Sequence, residues 1–279
     1  MSLRLDPADG LVRPEGDAAP SIGWLGQAGF WIDTGAHRVL IDPYLSDSLA
    51  RKYAGTRRAH TRMIPAPVTP GALPRPDLVL VTHAHTDHLD PDTLAPLAAR
   101  FPGLPILVPR AEMAVARERI GPDARLTGVT AGEVLTPLPG LVLTVTPAAH
   151  EARERTANGD DRFIGYCLAT PGLRLAHSGD TLVIPELTDA LAAFAPEVVL
   201  FPVNGRDAAR TADGIIGNMD LDEAVALARA VGAQALVPHH WGLFDFNTID
   251  PALIDRAAAQ TDRPAIYRPA AGARLRVVR

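Results

Sequence analysis

A short apolar run rich in β-branched residues, Leu78 to Val81, ends abruptly in His83, His85, Asp87 and His88. Bounded by Pro76-Asp77, the run suits a strand buried on both faces. Charge inside such a strand is costly, so the polar cluster must begin where the strand stops. Side chains two apart in extended chain point the same way, so His83 and His85 can reach one point and share one metal ion. Asp87 and His88 come after the chain has turned. Asp90-Pro91-Asp92-Thr93 then opens a helix, with proline and acidic residues in its first turn. That turn can aim a second pair of ligands at a second ion. Isolated histidines in polar loops are ordinarily surface residues, but three of them with an aspartate at a strand end form a metal-ligand pattern.

The same grammar recurs along the chain. Leu141 to Thr146 leads to His150, Leu173 to Ala176 leads to His177-Ser178-Gly179-Asp180, and Ala235 to Pro238 leads to His239-His240. Val39-Leu40-Ile41 ends in Asp42-Pro43, and Asp42 is expected behind the ligands, accepting a histidine N–H and fixing its orientation. Between these strands, residues 91–100, 111–120 and 220–231 read as helices, the last with Asp220 as N-cap and Gly232 just past its end. Short strands alternating with helices mark an α/β chain. Residues 1–20 are polar and rich in proline and glycine and read as a loosely held lead-in to a single domain over 21–279. Ser21 to Ile41 reads as hairpin structure with a turn at Thr34-Gly35, and Ala235 to Pro238 as the last core strand. Tyr44 to Pro76 has many prolines and the cations Arg51, Lys52, Arg57, Arg58 and Arg62. It is either a lid or substrate loop for an anion or a solvated charged loop.

With 279 residues, 47% of them hydrophobic and 21% charged, the chain can build a sizeable core. A net charge of -5 argues against general nucleic-acid or membrane-surface binding. Cys167, the single cysteine, excludes an internal disulfide and reads as a small core residue. No signal-like or membrane-length apolar run is visible, so a cytoplasmic protein is expected. His37 and His60 read as surface residues.

The His83-x-His85-x-Asp87-His88 pattern after a buried strand resembles the metallo-β-lactamase superfamily. Trp24-Leu25-Gly26, Asp42-Pro43, Thr82 through Asp90, Asp160-Asp161-Arg162, Thr170-Pro171-Gly172, His177 through Asp180, Met219 and Pro238-His239-His240 together resemble its ascorbate-6-phosphate lactonase branch. The resemblance spans about residues 22–255. It implies a four-layer αββα sandwich, two divalent metal ions (zinc or manganese, with iron also suited), hydrolysis of a phosphorylated sugar lactone, and homo-oligomers. If the strand ends share one edge, His83, His85 and His150 surround one ion, and Asp87, His88 and His240 the other. Asp180 is placed to bridge them. Asp87 and Asp180 are the candidate catalytic carboxylates. His240 is preferred over His239 because family members place the ligand before an aromatic residue, here Trp241; His177 and His239 then stand behind the ligands.

A water between two such ions would be a nucleophile at neutral pH. Residues 44–76 and 151–162 depart from the lactonase pattern. Arg155, Asn204, Arg206 and Arg210 are the candidate contacts to a small anionic substrate. The leading expectation is a lactonase or related carboxylic-ester hydrolase. A phosphodiesterase acting on a cyclic nucleotide, phospholipid or other diester is the alternative, and a non-catalytic metal-binding scaffold is a third reading. No flavin domain or second thiol supports redox or sulfur-transfer chemistry.

Overall fold

The structure is a computed structural model that describes residues 3–14 and 16–279. Its first sheet contains β1 (Arg4–Ala8), β2 (Ser21–Gly26), β3 (Gly29–Asp33), β4 (Arg38–Ile41), β5 (Leu78–Leu80), β6 (Pro105–Pro109), β7 (Arg125–Val129) and β15 (Arg274–Val278). The second contains β8 (Val134–Leu138), β9 (Leu141–Pro147), β10 (Ile164–Thr170), β11 (Leu173–His177), β12 (Val198–Pro202), β13 (Ala235–His239) and β14 (Ala265–Ile266). Strand order is β1-β15-β2-β3-β4-β5-β6-β7 in one sheet and β14-β13-β12-β11-β10-β9-β8 in the other.

The buried run of β5 explains the layering. Leu78 and Leu80 point into the core between the sheets, with Trp24, Phe30 and Ile32 from the first sheet and Val145, Tyr166 and Leu175 from the second. Val79 and Val81 point the other way, onto Leu94 and Leu97 of α2 (Pro91–Arg100) and Ala116 and Ile120 of α3 (Met113–Ile120). A strand covered on both faces needs apolar residues at every position, which is what Leu78 to Val81 supplies. On the far side, α4 (Pro185–Phe194), α6 (Leu221–Ala230) and α7 (Pro251–Gln260) pack on the second sheet. The result is the expected four-layer αββα sandwich.

Sheet direction places the site. β4, β5, β6 and β7 are mutually parallel, and so are β11, β12, β13 and β14. β9 and β11 both run antiparallel to β10 between them, so they share a direction. The ends of β5, β9, β11 and β13 each lead directly into the polar residues that converge on one site, as open α/β sheets gather ligands beyond the carboxyl ends of their strands.

Several expectations are corrected. The N-terminal lead-in contains β1, whose Leu5 is buried, and which pairs with β15 from the other end of the chain. Pro7, lacking an N–H, is tolerated because β1 is an edge strand. β13 is not the last strand, because β14 and β15 follow it. Ser21 to Asp33 is two strands folded at Gln27-Ala28. The helix expected over 111–120 begins as a 3-10 turn at Arg110–Glu112. The loop after β12 carries a short helix, α5 (Ala208–Ala212).

The segment from Tyr44 to Pro76 carries α1 (Ser48–Lys52) and is anchored rather than free. Tyr44 and Leu49 form a small buried cluster with Leu243 and Phe244, and Tyr53 and Phe246 pack against it. No helix among the described residues is long and apolar enough to cross a membrane.

Candidate metal centre

Three groups of side chains offer ligand atoms within 4.8 Å of one another: His83, His85 and His150; Asp87, His88 and His240; and His83, His88 and Asp180. His85 is exposed at the rim of a cavity, while His83, His88 and Asp180 are buried. Asp180 Oδ2 lies 3.4 Å from His88 Nε2, 3.6 Å from His150 Nε2 and 2.9 Å from His240 Nε2, so one carboxylate reaches both expected triads.

Hydrogen bonds set which nitrogen each ring presents. Thr82 Oγ1 donates to Asp42 Oδ2 at 2.6 Å and, its proton thus used, accepts from His83 Nδ1 at 3.0 Å. His88 Nδ1 donates to Asp42 Oδ2 at 2.7 Å, and His150 Nδ1 lies 3.2 Å from the Gly217 carbonyl, which can only accept. All three rings therefore turn Nε2 toward the centre, the second-partner logic of metal-bound histidine. Buried His83 Nε2, His88 Nε2 and Asp180 Oδ1 have no hydrogen-bond partner. Orphaned buried atoms of this kind, converging from the ends of β5 and β11, fit a cation.

Electrostatics separate the histidines. Burial pushes His150 down to about 4 and holds His83 well below the usual imidazole range. Both are neutral, the form that donates a lone pair. Burial opposes charge on His88 too, but the surrounding Asp180, Asp42 and Asp87 carboxylates raise it well above its ordinary value. Asp180 stays ionised: burial alone would raise it, and His240 and His88 hold it well below the usual carboxylate range.

The backbone is bent to make this arrangement. Gln27, Asp42 and His240 adopt left-handed φ values of 49°, 43° and 59°. Each costs on the order of 1–3 kcal/mol outside glycine, and such conformations cluster at functional sites. Gly179, at φ 67°, has no room for a side chain, since a Cβ would lie 2.7 Å from the Ile164 carbonyl oxygen. The Gln27 carbonyl accepts from His240 N and from Trp24 Nε1, both at 3.0 Å, and Trp24 stacks on Trp241 with ring centroids 4.7 Å apart. The β2–β3 turn and the end of β13 are thereby locked together.

Asp42 stands behind His88, as expected. His240 reaches Asp87 and Asp180, whereas His239 lies behind it, fully buried and stacked on His177. His177 is bound by backbone, with Nε2 2.9 Å from the Ala28 carbonyl and Nδ1 accepting from Gly179 N. The four expected anion contacts are not brought to the cavity. Arg155 pairs with Asp161, Arg206 with Glu223 and Arg210 with Asp207, while buried Asn204 bonds Asn218 and Asn247. The cavity of about 340 Å³ is lined instead by Lys52, Arg58 and Arg119 among the cations, with Tyr53, His60, Phe244 and Phe246. His60, expected at the surface, is half-buried in the cavity wall and belongs to neither ligand triad.

Gln27 is the least foreseeable contributor. Its buried side-chain amide donates to Asp87 Oδ2 at 2.8 Å and lies 3.0 Å from His240 Nε2. The available signal was its place in a Gly-Gln-Ala-Gly turn after a buried strand, which carries no ligand type. Arg119 donates to the Ala84 and Leu89 carbonyls at 2.6 and 3.2 Å, bracing the loop that holds Asp87 and His88.

Known proteins resemble this chain in sequence and in fold. The model of the beta-lactamase superfamily domain matches residues 37–241. A UPF0173 metal-dependent hydrolase of Pyrobaculum aerophilum is 26% identical over 238 residues, 82% of this chain and 88% of that protein. Igni18, a metallo hydrolase from the archaeon Ignicoccus hospitalis, superposes with a TM-score of 0.66 at 19% identity, over 93% of this chain and 97% of that one. An isothiocyanate hydrolase from Delia radicum gut bacteria superposes with a TM-score of 0.73 at 19% identity, over 91% and 98%. The strand-end ligand pattern, the sandwich and the span of the family match agree: the chain belongs to the beta-lactamase superfamily, with the metallo-β-lactamase fold.

Proposed function

We propose that this metal-dependent hydrolase of the beta-lactamase superfamily opens a lactone, or cleaves a related carboxylic ester, of an anionic metabolite, using two divalent ions that share Asp180. The carrying observation is the pair of triads, both within reach of Asp180, opening into a cavity edged by Lys52, Arg58 and Arg119. Divalent ions held there would supply Lewis acidity and lower the pKa of water toward neutrality.

The chain's own residues do the rest. His83, His85 and His150 would hold one ion; Asp87, His88 and His240 would hold the other. Asp42 and Thr82 fix His88 and His83, so neither ring has to reorient during turnover, which is the advantage of a preorganised site. Asp180, kept ionised beside His240 and His88, would offer its negative charge to both ions rather than take up a proton. Lys52, with no carboxylate partner among the described residues, and Arg119, whose bonds go to carbonyls, can steer an anionic substrate into the cavity.

The test is hydrolysis by protein reconstituted separately with manganese and with zinc. A phosphorylated sugar lactone and an uncharged lactone are compared with a generic phosphodiester, and Asp180→Ala is the control. Lactone opening that the variant abolishes is the expected result. Diester cleavage without lactone opening would overturn the carboxylic-ester reading.

A further inference from the structure

The lining of the cavity falls into two chemical classes. Beside the triad residues His85, Asp87, His150, Asp180 and His240 stands a block of rings. Tyr53 stacks on His60 with centroids 4.3 Å apart, and His60 meets Phe244 and Phe246 edge-on at 5.0 and 4.7 Å. Phe244 is buried and anchored in the Tyr44–Leu49–Leu243 cluster, so this wall is built on a packed base.

His60 is held firmly in the block. Its φ of 50° is left-handed, and its Nδ1 donates to the Arg58 carbonyl at 2.6 Å, leaving Nε2 as an acceptor on a neutral ring. Burial lowers the ring's proton affinity in the same sense. The Arg58 guanidinium lies over the Phe246 ring, 5.4 Å from its centroid, and its charge is offset by Asp213. Ile215 and Ile216 extend the apolar lining.

A wall of this kind is poorly matched to a hydroxyl-rich phosphorylated sugar, whose hydroxyls would lose water without gaining partners. It is well matched to a flat apolar group, which stacks on or meets ring edges favourably. We propose that Tyr53, His60, Phe244 and Phe246 form a subsite for an aryl or compact apolar substituent, so that the substrate is an anionic lactone or ester carrying such a group near the scissile carbonyl. The ester part rests on the function proposed above; the subsite itself does not.

The experiment keeps the two apart. Binding of phenylacetate and of acetate to the manganese-loaded protein is measured by calorimetry, and turnover of γ-phenyl-γ-butyrolactone is compared with that of γ-butyrolactone. The phenyl compound of each pair is expected to be favoured by at least about tenfold, in affinity or in kcat/KM. Phe246→Ala and, separately, Tyr53→Ala are each expected to collapse that ratio toward one, with folding verified by circular dichroism. Equal affinity for phenylacetate and acetate overturns the subsite whatever reaction the protein catalyses. Ring-selective binding without turnover of either lactone keeps the subsite and leaves the ester reading to the lactone and diester comparison above.

Discussion

The two ligand triads meet at Asp180 but are held by different means. His83, His85 and His150 are imidazoles alone. Two of them are oriented by uncharged acceptors, the Thr82 hydroxyl and the Gly217 carbonyl. Asp87, His88 and His240 sit instead among carboxylates, with Asp42 behind His88 and the Gln27 amide on Asp87. Burial keeps His150 and His83 neutral, whereas the surrounding acids pull a proton onto His88. One half is therefore preset for a cation, and the other must exchange a proton for one. The contrast shows that ligand identity is half of a metal site, and that the charge of the groups behind the ligands sets its pH behaviour.

The most damaging way to test this contrast is to remove what the triads share. Asp180→Ala is expected to lower hydrolysis by at least about a hundredfold and to reduce metal bound per chain in both halves, measured by elemental analysis and steady-state kinetics. Loss from one half alone would show that Asp180 does not join them. A smaller and unequal effect is expected from Asp42→Asn, which removes the charge behind His88 while keeping its shape. Metal affinity should fall roughly ten- to a hundredfold at the Asp87–His88–His240 triad in a competition titration, and less at the other triad, which Asp42 touches only through Thr82 and His83. Equal weakening at both would erase the distinction.

The mildest effect is on pH. Ligand histidines must be neutral to bind, so protonation opposes uptake only below a ring's own pKa. His150, at about 4, should leave its triad's affinity nearly level as pH falls from neutrality toward that value. His88, raised well above its ordinary value, must lose a proton on uptake at neutral pH, so affinity there should rise with pH. Calorimetry in buffers of differing ionisation enthalpy would report the proton released. A proton count near zero for both ions would contradict the assignment.

Much of the centre was legible in the sequence because its ligands follow a local rule. Each expected triad member lies at or just past the end of an apolar run, and charge can appear only where burial stops. Asp42 could be placed for the same reason. The substrate side was not legible. Arg155, Arg206 and Arg210 had the right charge, but each is taken up by a nearby carboxylate, Asp161, Glu223 or Asp207. Lys52, Arg58 and His60 reach the cavity through a proline-rich segment without periodicity, which gives no direction to its side chains. β1 and β15 escaped notice because their pairing joins residues more than 260 positions apart, and strand pairing at that distance leaves no local pattern.

By itself, the sequence determined the chemistry of the strand ends and the existence of a doubly covered strand. Residue type and period-two spacing act over a few positions and do not depend on what packs nearby. Only the tertiary structure decided which strand ends share an edge, that His240 rather than His239 faces Asp180, and that an aromatic wall stands beside the ligands. Those outcomes depend on strand direction, on the left-handed turn at His240 and on long-range packing of the Tyr44 to Pro76 segment against Phe244. They are relations between distant parts of the chain, and no single stretch of sequence carries them.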